Sequence, residues 1–211
     1  MKILILGASR GTGAEAVKIA LARGHEVTAF ARTPNKLVLE HPKLTKLAGD
    51  FHDRESVASA VRGHNAVIIT ASFTSFKALG DNPNYYSQGT GYAIEAMKAH
   101  GVRRLVVLSA WGVGESRKLA NFFVDKLVIS FLLRGAYEDH ERQEKLVRES
   151  GLDWVIARPT RLTNGPARGR YVKKTGLDPV PHSIARPDTA AFLVTAAEVD
   201  AWVHQAVQLG G

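Results

Sequence analysis

The sequence predicts an α/β fold: one doubly wound domain over residues 1–211, with a mostly parallel sheet of about seven strands and helices on both faces. Three observations carry this expectation. Apolar runs of strand length alternate with amphipathic helical stretches, the connections between them are mostly short, and a glycine-rich turn joins the first strand to the first helix. A chain of 211 residues suits one sizeable domain better than two small ones, and no repeat, low-complexity tract or Pro/Gly-rich linker divides it.

The strand candidates, in order, are Lys2 to Leu6, Glu26 to Ala31, a weaker Leu44 to Ala48, Ala66 to Thr70, Arg104 to Ser109, Trp154 to Ala157 and Gln205 to Leu209. They are too uniformly apolar to have one wet face, so they read as buried parallel strands. Helices are expected over Ala14 to Arg23, stopped by Gly24, and over Tyr92 to His100, closed by Gly101. Two more are expected over Glu138 to Glu149, ended by Ser150-Gly151, and over Asp188 to Val199, with Pro187 ahead of it. Right-handed crossovers between such elements give a doubly wound sheet. The segment from Ser72 to Gly89 reads as a long loop at the carboxyl end of the fourth strand, where long loops tend to be functional.

Composition narrows the class. Hydrophobic residues at 45% and charged residues at 23% are those of an ordinary globular protein. With no cysteine there are no disulfides and no cysteine-ligated metal; no metal is expected, and a reducing cytoplasm fits. The apolar opening run is short and ends at Gly7, which predicts no export leader. The stretch from Leu119 to Leu133 is too short for a bilayer and carries Asp125 and Lys126, so it reads as a helix on the core or over a pocket, and no membrane partner is expected. The net charge of +8 is spread over helices, which suits solvated faces and an anionic ligand better than a nucleic-acid surface.

The strongest motif is Gly7-Ala8-Ser9-Arg10-Gly11-Thr12-Gly13, set between the first strand and the first helix. Glycine suits that turn because the chain bends tightly and its backbone must approach a pyrophosphate, which the free N–H groups and dipole of the helix start then hold. This is the dinucleotide loop of a Rossmann fold. NAD-specific sites carry an acid at the end of the second strand; here that end reads Phe30-Ala31-Arg32. Arg32, with Arg10, is placed to clamp the 2′-phosphate of NADP, so NADP is the expected cofactor.

Gly7-x-x-x-Gly11-x-Gly13, Gly49-Asp50 after the third strand, the run from Ala96 to Val102, and Ser150-Gly151-Leu152-Asp153-Trp154-Val155-Ile156-Ala157-Arg158-Pro159 together resemble the atypical short-chain dehydrogenase/reductase superfamily, in particular its NmrA-like and biliverdin reductase B (flavin reductase)-like members. The chain departs from the usual GxxGxxG by placing Arg10 at the middle glycine. The resemblance implies that Asp50 contacts adenine. With Gly7, Ser9, Arg10, Gly11, Thr12, Gly13 and Arg32, the expected cofactor set takes in Phe51, Thr70, Ala71, Ser109, Pro159 and Thr160. It also implies a serine at the exit of the fifth strand, matched by Ser109, and a Tyr-x-x-x-Lys pair in its better-known enzymes. Here Ala136 and His140 fall at the pair's positions, and the neighbouring register gives Tyr137 with Glu141, a carboxylate that would raise a phenol's pKa.

Loss of the pair matches the biliverdin reductase B-like members, and that resemblance implies hydride transfer to a conjugated acceptor protonated by solvent or a weak acid. His140 and Glu144, four apart on one helix face, join Ser109 as candidate catalytic residues, with His140 a proton donor if that face looks into the site. A solvent-facing His–Glu pair is the competing reading. Candidate substrate residues are Phe73, Tyr85, Trp111 and Arg161, with Phe76 and Tyr86 further aromatics near the loop. Arg158, Arg161, Arg168, Arg170, Lys173 and Lys174 suggest a positive rim and an anionic small-molecule substrate. The function expected is an NADPH-dependent reductase acting on a flavin, quinone, tetrapyrrole or carbonyl compound, as a monomer or weak homodimer. A non-catalytic NADP(H)-sensing regulatory protein and an NADP-dependent epimerase or isomerase remain alternatives.

Overall fold

The computed structural model describes residues 1–72, 82–119 and 133–211. Its order is β1 (Lys2–Leu6), α1 (Gly11–Ala22), β2 (Glu26–Ala31), β3 (Leu44–Ala48), α2 (Arg54–Val61), β4 (Ala66–Ile69), α3 (Tyr85–Ala99), β5 (Arg104–Leu108), α4 (Arg134–Arg148), β6 (Asp153–Pro159), β7 (Arg161–Thr163), β8 (Val172–Thr175), β9 (Ser183–Ala185), α5 (Arg186–Glu198) and β10 (Gln205–Gly210). Eight strands form one sheet in the order β3-β2-β1-β4-β5-β6-β10-β8. All neighbours are parallel except β8, which pairs antiparallel with β10. The order reverses between β1 and β4, and that switch point is where a doubly wound sheet opens a crevice at the carboxyl ends of its strands.

Two apolar layers cover the sheet. On one face α1 and α5 bury Val17, Ala20, Phe192 and Leu193 against Ile3, Ile5 and Ile68. On the other, α2 and α3 bury Val57, Val61, Ala93 and Met97 against Leu4, Leu6, Val67 and Leu105, with Val147 of α4 joining them. The central strands β1, β4 and β5 have no wet face, which explains their uninterrupted apolar sequence.

The seven expected strands are present, and the sheet gains β8 as an antiparallel edge. Lys173 and Lys174 sit on that edge strand, where lysine discourages pairing with another chain. β7 and β9 form a separate two-stranded parallel pair too short to show a period. Helix α2 lies where only connecting chain was expected. Its signals are Asp53, whose side chain accepts from the Glu55 N–H, and the spacing of buried Val57, Ala60 and Val61.

The Ser72–Gly89 expectation is corrected over its last five residues, because α3 already begins at Tyr85. Gly89, where the loop was expected to end, is a residue of that helix. Gly89 is needed inside the helix for packing, since a Cβ there would fall within the Phe51 ring. Phe73 and Phe76, and the body of the 119–133 stretch, lie outside the described residues. Among the described residues, no helix is long and apolar enough to cross a membrane.

Candidate functional site

A cleft of about 780 Å³ opens at the β1/β4 switch point. Its floor is the turn from β1 into α1. The N–H groups of Gly7 and Ala8 donate to the Phe30 carbonyl at 2.9 and 3.2 Å, pinning the turn to the end of β2. Gly7 adopts φ +90°, and a Cβ there would stand 2.5 Å from the Ala71 nitrogen. A Cβ on Gly13 would lie 2.6 Å from Thr70 Oγ1 and closer still to the Gly7 carbonyl oxygen. Both glycines therefore let α1 and β4 close on the turn. Helix α1 starts with no side-chain cap and no acid in its first turn, so its positive end faces the cleft uncompensated.

Most of the expected cofactor set lines this cleft: Gly7, Ser9, Arg10, Gly11, Thr12, Arg32, Asp50, Phe51, Thr70 and Ala71. Gly13 packs directly behind the turn. Four cations line the wall, Arg10, Arg32, Lys36 and Arg186, against one carboxylate among the described lining residues, Asp50. Lys36 and Arg186 were missed from sequence. Lys36 follows Arg32 through a short 3-10 turn over Pro34–Lys36, a local basic cluster that sequence reasoning could have found. Arg186 had no such signal, because it reaches the loop from the start of α5 and donates to Thr12 Oγ1 at 3.3 Å across 174 residues of sequence. Thr33, Ser72, Leu108, Leu162 and Asn164 complete the side walls.

Of the expected substrate residues, Tyr85 reaches the cleft. Its hydroxyl donates to the Ser72 carbonyl at 3.1 Å, and burial pushes its pKa up, an effect that Arg32 and Arg10 oppose. Trp111 and Arg161 do not line the cleft, although Leu162 beside Arg161 does. The Trp111 carbonyl accepts the Tyr137 hydroxyl at 3.0 Å, and burial raises that phenol's pKa.

Ser109, Pro159 and Thr160, also expected in the cofactor set, are not among the residues that line the cleft. Ser109 Oγ donates to Glu144 Oε1 at 2.7 Å, which commits its proton to a carboxylate and leaves its lone pairs to accept. Glu144 also accepts from Arg158 Nε at 2.9 Å and from Arg158 Nη2, while Glu115 meets Arg158 Nη1 at 2.9 Å. Arg158 is 1% exposed. Burial alone would pull its guanidinium down, but hydrogen bonds to Glu144 and Glu115 reverse this and raise its pKa. The expected positive rim is corrected on this point. Arg158 faces α4 as the centre of a buried ion cluster, Lys173 and Lys174 lie on the β8 edge, and only Arg161, Arg168 and Arg170 of that group stay as exposed arginines.

His140 and Glu144 share the buried face of α4, so they are no solvent-facing pair. They do not bond each other; His140 Nδ1 lies 2.8 Å from Gln143 Oε1, and its ring stacks on Tyr86 with centroids 3.8 Å apart. Burial lowers the His140 pKa, against smaller opposing effects of Gln143, Glu144 and Asp139. A neutral, stacked imidazole is a poor proton donor near neutral pH, so that expectation loses its support.

The same shift predicts a pH effect on stability. The folded protein binds this proton less tightly than the unfolded chain, whose ordinary value is 6.5. Below that value unfolding takes up a proton, so stability falls with pH until the native ring protonates. Between pH 7 and pH 5, His140→Phe, which keeps an aromatic ring against Tyr86, loses less stability than the unmutated protein, by up to about 1.4 kcal/mol per pH unit. His64, also lowered by burial, keeps its own share of the acid sensitivity in both proteins. Urea unfolding at the two pH values measures the difference, and parallel losses would contradict the assignment to His140.

Asp139 positions the tyrosines. Fully buried on α4, it accepts from the Tyr86 and Ser87 N–H groups and from Ser87 Oγ, capping α3 from the neighbouring helix. Tyr85, and with it one wall of the cleft, is held to α4 through that carboxylate.

With this geometry, the NAD(P)H-binding family model matches residues 7–200. A 3-beta-hydroxysteroid dehydrogenase of Mycolicibacterium neoaurum is 35% identical over 113 residues, covering 50% of this chain and 31% of that relative. The chain thus aligns with about a third of that relative's length. A short-chain dehydrogenase/reductase of Veillonella parvula solved in complex with NADP superposes with TM-score 0.83 at 18% identity, covering 100% of this chain and 94% of that one. ChuY, an anaerobillin reductase of Escherichia coli O157:H7, superposes with TM-score 0.81 at 23% identity, covering 100% and 97%. At these identities the two structures show a shared fold.

Proposed function

The chain belongs to the NAD(P)H-binding family, and from that premise we propose that it is an NADPH-dependent reductase acting on a small conjugated or planar acceptor. The observation that carries this reading is the cleft itself: a glycine turn open to a pyrophosphate, an uncapped helix start and four cations around one carboxylate. Its volume falls in the range of cofactor sites. When bound there, the nicotinamide supplies two electrons as a hydride. The protein's own groups bind the dinucleotide's phosphates, cover the adenine end with Asp50 and Phe51, and form a wall with Tyr85 and Leu162. No protein acid is assigned to the accompanying proton, which solvent provides to the reduced acceptor. Similar proteins named as a dehydrogenase and a reductase support redox chemistry over a regulatory role.

Preference for NADP over NAD rests on Ala31-Arg32 at the end of β2, joined by Arg10 and Lys36. The expected result is that Arg32→Ala weakens NADPH binding about tenfold, some 1.4 kcal/mol, while NADH affinity stays within twofold. Calorimetric titration reads both; an equal loss for the two cofactors would assign Arg32 to a different part of the dinucleotide.

The function is tested by following NADPH oxidation with flavins, quinones, linear tetrapyrroles and simple carbonyl compounds in turn. Oxidation matched one for one by acceptor reduction in at least one class supports the reductase. Tight NADPH binding with no turnover in any class would instead favour the cofactor-sensing alternative.

A further inference from the structure

We propose that Arg186 is a diphosphate ligand, closing over the glycine turn from the far wall of the cleft. The proposal rests on the dinucleotide reading above and assigns the residue to one part of that ligand. Arg186 is the first residue of α5 and follows β9, whose pairing with β7 holds it at the carboxyl end of the sheet. Its Nε donates to Asn164 Oδ1 at 3.0 Å and its Nη1 to Thr12 Oγ1 at 3.3 Å. Nη1 also stands 3.6 Å from the position a Cβ on Gly11 would occupy, over the part of the turn where the first free N–H groups of α1 emerge.

The local electrostatics ask for an anion. A guanidinium at the first position of a helix sits at the positive end of that helix's own dipole, and here it also faces the positive end of α1. Arg10 adds another cation to the same wall. Asp188, the acid in the first turn of α5, is turned away and accepts from the Arg168 and Gly169 N–H groups at 2.9 and 3.0 Å. No carboxylate among the described residues pairs with Arg186; two neutral oxygens hold it instead. Such an arrangement is repulsive when empty and is relieved by a group that carries two negative charges between α1 and α5. Arg32 and Lys36, from the β2 side, together with Arg10, are left to the 2′-phosphate.

Titration of the full chain with NADPH, NADH and 2′-AMP separates the roles, because 2′-AMP carries the 2′-phosphate and no diphosphate. Arg186→Ala is expected to weaken NADPH and NADH by the same factor, about tenfold or more, and to leave 2′-AMP unchanged. Arg186→Gln retains hydrogen-bonding capacity without charge and shows the same loss, while Arg186→Lys recovers part of it. Thermal unfolding without ligand confirms that each variant is folded before titration. Unchanged dinucleotide affinities in the folded Gln variant overturn the proposal, as does a loss confined to NADPH and 2′-AMP, which would place Arg186 on the 2′-phosphate. If the unmutated protein binds none of the three ligands, the dinucleotide reading itself fails.

Discussion

Replacing Glu144 by alanine is expected to destabilise the protein by about 3 kcal/mol, the low end of the cost of leaving a buried charge without its partner. The reason is Arg158. Its side chain is among the largest fully buried ones, and Glu144 supplies two of its hydrogen bonds from a position itself 3% exposed. The remaining partner, Glu115, is about half exposed on its side chain, so it offsets part of the loss but cannot replace the buried carboxylate. Ser109 Oγ loses its acceptor in the same variant. Against a typical total stability of about 5–15 kcal/mol, this is a large effect, visible as a lower urea midpoint at unchanged slope. The double variant Glu144→Leu with Arg158→Met removes both charges and is expected to recover most of the loss. A cost under about 1 kcal/mol for Glu144→Ala would mean that the cluster is hydrated and that Glu144 is free for chemistry.

Gly13→Ala is expected to lower dinucleotide affinity about a hundredfold, some 2.7 kcal/mol. A methyl group at that position meets the Gly7 carbonyl, which is backbone and cannot rotate away, as well as Thr70 Oγ1. Helix α1 must therefore draw back from the turn, taking its N–H groups out of line with the pyrophosphate. Gly91→Ala is the matched control: that glycine also lies in a helix, but a Cβ there meets nothing within 4 Å. It is expected to bind cofactor normally and to gain up to about 1 kcal/mol from helix propensity. Equal affinities of the Gly13 and Gly91 variants would show that α1 does not approach the ligand as described.

The parts of the fold legible in the sequence are those set by local pattern. β1 and β2 match the expected bounds to the residue, because buried parallel strands are largely apolar and end at turn residues; β3 matches too, although as an edge strand it has no buried residue. The start of α3 was missed because Gly89 is a helical residue chosen by the Phe51 ring, a contact no local rule reports. The glycine turn, Arg10 and Arg32 were legible because strand, turn and helix are adjacent in sequence. Arg186 was not, since only the fold brings it to Thr12. Arg158 shows the opposite error. It reads as one of a run of cations, yet its strand turns it into α4, where two glutamates from distant segments enclose it. The face of α4 that carries His140 and Glu144 was read correctly as one face, but its burial could not be inferred from a helix with so many charges.

The central claim is that the cleft at the β1/β4 switch point is an NADP(H) site. Titration of the unmutated protein with NADPH and NADH side by side at fixed ionic strength tests it most directly. NADPH is expected to bind at least about tenfold tighter, a difference of roughly 1.4 kcal/mol, and added salt should erode that advantage as the 2′-phosphate is screened from Arg32, Arg10 and Lys36. Equal affinities at every salt concentration, or tighter binding of NADH, would contradict it.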